Sequence, residues 1–178
     1  MVPERRLYSK LFEINMNKVI IIGSPGAGKS TFARALSEKT GITLYYLDMI
    51  FHRPDKTTVS SEEFDQKLGE IIKQPQWIID GNYLRTLPLR FEHCDQVFFF
   101  DMPVDICLEG AAARVGTVRK DLPWVETEFD ADFRQYIIDF PKDQLPVIYH
   151  LIDQYKDSRR IVIFRSRTEA YAYLEKGV

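Results

Sequence analysis

The chain has 178 residues, 45% hydrophobic and 28% charged, enough for one domain with a full core and ordinary for a globular protein. Its formal net charge of −2 argues against a general affinity for nucleic acid, which shows as a basic domain or stripe. No apolar run reaches the length of a membrane span, and the two cysteines, Cys94 and Cys107, stand in no metal or redox spacing, which suits buried thiols in a reducing cytoplasm.

Residues 1–16 read as an N-terminal extension that precedes the fold. Arg5, Arg6 and Lys10 are followed by no apolar segment, so this is not a signal peptide, and Met16 is an alternative start. Residues 17–178 read as one domain. Val19 to Gly23 is a β-branched buried strand, and Thr31 to Thr40 is a helix closed by Gly41. The second strand is Ile42 to Asp48. Ser60 and Glu63 form a capping box, and Phe64, Leu68, Ile71 and Ile72 follow on one helical face that Pro75 ends. The remaining strands are Trp77 to Asp80, Val97 to Asp101 and Ile161 to Phe164. Between the last two lie a helix from Pro103 to Arg114, a polar stretch from Gly116 to Glu128, and further helix from Ala131 to Tyr155, interrupted by Pro141 and Pro146. Short apolar strands separated by helices predict an α/β layer fold on a parallel sheet.

Between the first strand and first helix stands Gly23-Ser24-Pro25-Gly26-Ala27-Gly28-Lys29-Ser30, which is G-x-x-x-x-G-K-[ST] in its required strand–loop–helix setting. Backbone N–H groups of such a loop curl around phosphate oxygens, and the helix starting near Lys29 points its positive end at the same anion. Lys29 is placed to reach the β- and γ-phosphates, the Ser30 hydroxyl to ligate Mg²⁺, and Thr31 to follow in the first turn. The chain is therefore expected to bind a nucleoside triphosphate with Mg²⁺.

Three strands end in a carboxylate: Asp48, Asp80 and Asp101. The carboxyl ends of parallel strands line the ligand crevice, so these acids are expected near the γ-phosphate and metal. The alternative for each is a helix N-cap, strongest for Asp101, which precedes Met102-Pro103, and weaker for Asp80, which Gly81-Asn82-Tyr83 follow. Trp124, Phe129, Phe133, Tyr136 and Phe140 read as core between lid and helices. His52, His93 and His150 show no metal spacing.

The run Asp80-Gly81-Asn82-Tyr83-Leu84-Arg85-Thr86 resembles the D-G-F-P-R-T segment of adenylate kinases, with Asn82-Tyr83-Leu84 in place of Phe-Pro. That likeness implies Asp80 at the metal site and Arg85 on the acceptor's phosphate. The second-strand region, Tyr45 to Phe51, lacks the adenylate kinase pattern for AMP. From Asn17 to Leu174 the chain is similar to the small bacterial P-loop kinases called DNA topology modulation proteins, of the adenylate and shikimate kinase-like group. The likeness rests on IIGSPGAGKST from Ile21, LDMIF from Leu47, WIIDGNY from Trp77, and Arg165-Ser166-Arg167. It implies a three-layer α/β/α P-loop NTPase fold, a five-stranded parallel sheet of order 2-3-1-4-5, and a helical lid over residues 114–130.

By the same likeness Arg114 and Arg119 are lid arginines that clamp the transferring phosphoryl group. Asp48 grips the acceptor hydroxyl and takes its proton, with Phe51, Asn82 and Arg85 beside it, and Arg165 borders the adenine. The expected activity is transfer of the γ-phosphoryl group of ATP to a nucleoside, nucleotide or hydroxylated metabolite in the cytoplasm. No helix-turn-helix or basic stripe supports the DNA part of the family name. The lid carries few arginines, which keeps open a second reading: an ATP-binding regulator with slow ATPase activity that acts through a protein or DNA partner.

Overall fold

The computed structural model describes residues 16–176; the expected extension falls, apart from Met16, outside them. Five strands form one parallel sheet: β1 (Lys18–Gly23), β2 (Leu44–Tyr46), β3 (Trp77–Asp80), β4 (Gln96–Phe100) and β5 (Arg160–Phe164). Their order is β2-β3-β1-β4-β5, as expected. In this register Ile21 stands beside both Asp80 and Phe98, so the carboxyl ends of β1, β3 and β4 finish side by side.

Helices are α1 (Lys29–Thr40), α2 (Leu47–Phe51), α3 (Ser61–Ile72), α4 (Leu87–His93), α5 (Val104–Ala112), α6 (Ala131–Asp143), α7 (Leu145–Tyr155) and α8 (Arg167–Glu175). The period of two along the strands divides the core between two layers. Ile20 and Ile22 of β1 and Val97 and Phe99 of β4 pack with Phe64, Leu68 and Phe91. Val19, Ile21, Phe98 and Phe100 face the other way, onto Phe32, Leu36 and Leu174. Sealing both faces of a sheet in this way requires continuous apolar strands, which is why the strands read so plainly in the sequence.

Most boundaries match the sequence reading, and four differ for physical reasons. The second strand ends at Tyr46, because Leu47 turns into the core against Gly81; Asp48 therefore sits in the first turn of the short helix α2. The helix at Ser60 is capped as expected, the Ser60 hydroxyl accepting from the Glu63 N–H at 3.1 Å, but it ends at Ile72, before Pro75. Pro141 lies inside α6, close enough to its end that one missing N–H is tolerated, and Pro146 opens α7. Helices flank the lid rather than build it: residues 113–130 are turns and bends, with Gly116 at φ 77° and the polar run leaving no apolar face for a helix to bury. Among the described residues no helix is long and apolar enough to cross a membrane.

Candidate active site

Gly23 to Ser30 wraps the end of β1 and enters α1. Gly26 takes φ 77°, and a Cβ there would overlap the Cys107 carbonyl oxygen of α5, so both backbone conformation and close approach require glycine. Ala27 is buried beneath the loop, and Ser24 supplies a carbonyl that accepts from Lys29 Nζ at 2.8 Å. Burial holds the Lys29 ammonium below its usual pKa range, against the opposing pull of Asp80 and Asp48.

Ser30 Oγ lies 2.6 Å from Asp80 Oδ2 and 3.0 Å from Asp121 Oδ2. One hydroxyl proton cannot serve two carboxylates at once. Asp80 is 5% exposed, and its second oxygen, Oδ1, is buried with no partner. Desolvation pushes this carboxyl up to about 6, against the lowering influence of Lys29. A hydroxyl and two carboxylates at one point, one of them with an oxygen left without a partner, form a donor set suited to a hard cation such as Mg²⁺. Among the described residues no group of three His, Cys, Asp or Glu side chains forms a cage; Mg²⁺ usually binds through one or two carboxylates plus substrate phosphates.

Two cavities open on this point. One, of about 580 Å³, extends over β3 and the lid. The other, of about 570 Å³, extends along α1 toward α8. Lys29, Ser30, Arg114, Arg119 and Asp121 line both. Gly26, Gly28, Thr31 and Arg34 belong to the second cavity, while Gly23 and Pro25 line the first.

The lid holds its two arginines differently. Arg119 bonds Asp121 through Nε and Nη2, the shorter at 2.6 Å, and Glu126 through Nη1 at 2.7 Å. Those carboxylates hold its pKa above the ordinary guanidinium range although burial opposes them. Arg114 stands apart: its Nε is buried without a partner, and burial together with Arg119 lowers its pKa.

On the acceptor side Asp48 Oδ1 accepts the Tyr83 hydroxyl at 2.7 Å. Burial, with the Asp48 charge and this bond, holds the Tyr83 phenol well above its usual pKa, keeping it protonated and the carboxylate oriented. Asn82 lines the same cavity, its Nδ2 donating to Gln144 Oε1 at 3.1 Å and its Oδ1 buried without a partner.

Several expected placements change. Arg85 leaves the site and pairs with Asp65 of α3 at 2.7 Å on the surface. Three residues, Asn82-Tyr83-Leu84, stand where the adenylate kinase segment has two, and the middle one turns left-handed at φ 33°, which sends Arg85 outward. Phe51 lies outside both cavities, packed against Phe64 and Tyr83. Arg165 pairs with Asp101 at 2.7 Å, which also accepts the Tyr149 hydroxyl; so Asp101 joins neither the metal point nor a helix cap. Arg167, two residues on, reaches the P-loop instead, donating to the Gly26 carbonyl at 2.8 Å. Of the aromatics read as core, Trp124, Phe133 and Tyr136 face the first cavity.

Asp121 and Arg90 escaped the sequence reading. Asp121 sits in a polar stretch with no local signal. Arg90, fully buried, donates to the carbonyls of Gly81, Asn82 and Tyr83, and burial drops its pKa to about 9. Its only sequence signal is a charge within an apolar helical pattern.

No family model matches the chain. It is 31% identical over 88 residues to the adenylate kinase of Thermotoga neapolitana, covering 48% of this chain and 39% of that enzyme, so it matches well under half the length of that relative. Among solved structures, shikimate kinase from Acinetobacter baumannii, in complex with shikimate, superposes with a TM-score of 0.61 at 17% identity, covering 94% of this chain and 93% of that one. A sugar kinase from Janibacter gives 0.55 at 14% identity, covering 90% and 91%. Together with the sheet order and the P-loop, these likenesses establish a P-loop kinase-like fold.

Proposed function

We propose that this protein is a Mg²⁺-dependent phosphotransferase that moves the γ-phosphoryl group of ATP to a small hydroxylated acceptor in the cytoplasm. The observation that carries this reading is the pair of cavities with one common wall at Lys29 and Ser30. A nucleotide switch needs one pocket; transfer between two bound molecules needs two that meet at the phosphorus.

In this reading the loop from Gly23 to Thr31 holds the triphosphate and Lys29 balances its β- and γ-oxygens. Ser30 and Asp80 hold Mg²⁺, which when bound neutralises charge on the phosphate oxygens. Asp48, held by Tyr83, positions the acceptor hydroxyl and receives its proton, and that proton leaves to solvent. The acceptor oxygen bonds to the γ-phosphorus as the bond from that phosphorus to the ADP oxygen breaks. Arg114, with its free Nε, answers the charge on the transferring group, and Arg119 organises the lid around Asp121. In the same reading residues 17–178 work as one domain whose lid spans 114–130, and its four ordered motifs resemble those of the DNA topology modulation group.

One feature supports the regulator reading: Asp121 and Glu126 both hold Arg119, leaving Arg114 as the lid arginine without an ion pair among the described residues. ADP release from Mg·ATP, with and without a panel of acceptors, separates the two. Stimulation by one acceptor, lost in Asp48→Asn, is the expected result; a low rate that no acceptor changes favours the regulator.

A further inference from the structure

The acceptor cavity has a charge pattern that bears on what it takes. Apart from the wall shared with the nucleotide side, its charged lining consists of Asp48, Asp80, Glu126, Glu128, Asp130 and one lysine, Lys56. Glu126 is neutralised by Arg119, and Asp130 caps α6 through the Phe133 N–H at 2.8 Å. Lys56 is exposed at the mouth, and Arg85, the residue matching the acceptor-phosphate arginine of adenylate kinases, is turned away onto Asp65. Inside, the wall offers hydrogen-bond acceptors in search of donors. Asn82 is 8% exposed, and its Oδ1 has no partner. His52 Nδ1, its ring 5.0 Å from that of Trp124, is buried and unpartnered too, and donates or accepts according to which ring nitrogen carries the proton. A buried acceptor without a donor costs about 1–3 kcal/mol, so a ligand that supplies N–H or O–H groups recovers that cost.

Resting on the phosphotransferase reading, we infer that the acceptor is a hydroxyl compound without negative charge, and preferably one bearing an amino group. Its hydroxyl points to Asp48. Its donor groups meet Asn82 and the carboxylates, and its apolar face lies against Trp124 and Tyr136. Phosphate- or carboxylate-bearing acceptors meet these carboxylates, and outside the shared wall the one cation of the lining is the exposed Lys56.

The test uses matched pairs: adenosine against AMP, and glucosamine against glucuronate. Binding is read from quenching of Trp124 fluorescence in the presence of a non-hydrolysable ATP analogue, and transfer from ADP release with Mg·ATP. Expected is binding of the uncharged or cationic member at least about tenfold tighter than its anionic partner, with the gap narrowed in Glu128→Lys. Equal or tighter binding of the anionic members overturns the inference and leaves the kinase reading standing. Charge-ordered quenching with no stimulated ADP release does the opposite, supporting the cavity's selectivity and removing phosphoryl transfer. Absence of quenching by all four compounds overturns the inference.

Discussion

Asp80, at the end of β3, accepts the Ser30 hydroxyl of the P-loop at 2.6 Å while its other oxygen is buried without a partner. A carboxylate in this position destabilises the empty protein and awaits a cation. Burial raises its pKa from the usual 3.8 to about 6. A carboxyl whose folded pKa is raised stabilises the fold below its unfolded pKa and withdraws that contribution as pH rises through the folded one. In chelator and without nucleotide, Asp80→Asn is therefore expected to gain on the wild type as pH rises from about 4 to about 6. The gain is on the order of 2 kcal/mol, measured by urea unfolding at each pH. Parallel stability profiles for the two proteins refute it. With metal present the order reverses, Mg·ATP binding being roughly 10–100-fold weaker in Asp80→Asn.

Lys29 is expected to separate folding from binding. Its ammonium donates to the Ser24 carbonyl of the loop at 2.8 Å and belongs to no ion pair among the described residues, so its removal leaves no charge unpaired. Hydrogen bonds to a charged partner contribute about 1.5–3 kcal/mol, so Lys29→Ala should bind ATP roughly 10–100-fold more weakly with an unchanged circular dichroism spectrum. Undiminished ATP affinity removes the P-loop assignment.

The two lid arginines should respond differently. Arg114, unpaired through Nε, is placed to meet the transferring phosphoryl group; by analogy with arginine fingers, Arg114→Ala should lower the turnover rate by about 10³-fold or more with little change in the KM for ATP. Arg119 bonds Asp121 and Glu126 within the lid. Removing it leaves Asp121 buried without its cation, so Arg119→Ala should loosen residues 114–130 and raise KM on both sides. Hydrogen exchange of the lid amides distinguishes the two variants: faster in Arg119→Ala, unchanged in Arg114→Ala.

The sequence disclosed what depends on short-range pattern. Short apolar runs marked the strands because both sheet faces are sealed, and the P-loop stood between strand and helix where its chemistry needs it. Ser60 announced a helix start because a cap acts over three residues. The lost placements all depend on where a side chain points after a turn. One residue more in the loop after Asp80 reverses Arg85. Two residues along the same helix start separate Arg165, on a surface pair, from Arg167, on the P-loop. Asp121 meets Ser30 across 91 positions of chain, through a stretch with no periodicity to read. Trp124 and Tyr136 carry the same apolar signal whether they fill a core or line a cavity.

Arg85 and Arg90 put this distinction to a test, since both follow the same strand and only one supports the site. Arg85 pairs with Asp65 in the open, with side chains 54% and 49% exposed. Exposed pairs contribute about 0–1 kcal/mol, so Arg85→Ala should change stability by less than about 1 kcal/mol and leave the acceptor KM as it was. Arg90 has no exposed surface and gathers the carbonyls of Gly81, Asn82 and Tyr83, the loop that carries both Asn82 and the tyrosine orienting Asp48. Arg90→Met preserves much of the volume but strands three carbonyls. A cost of about 3–5 kcal/mol follows, on the scale of breaking a buried charged network. The loop would lose its anchor, so what folds of Arg90→Met at low temperature should retain ATP binding and show a raised acceptor KM, because the loop borders the acceptor side alone. A raised acceptor KM in Arg85→Ala, with Arg90→Met near wild type, would restore Arg85 to the acceptor site.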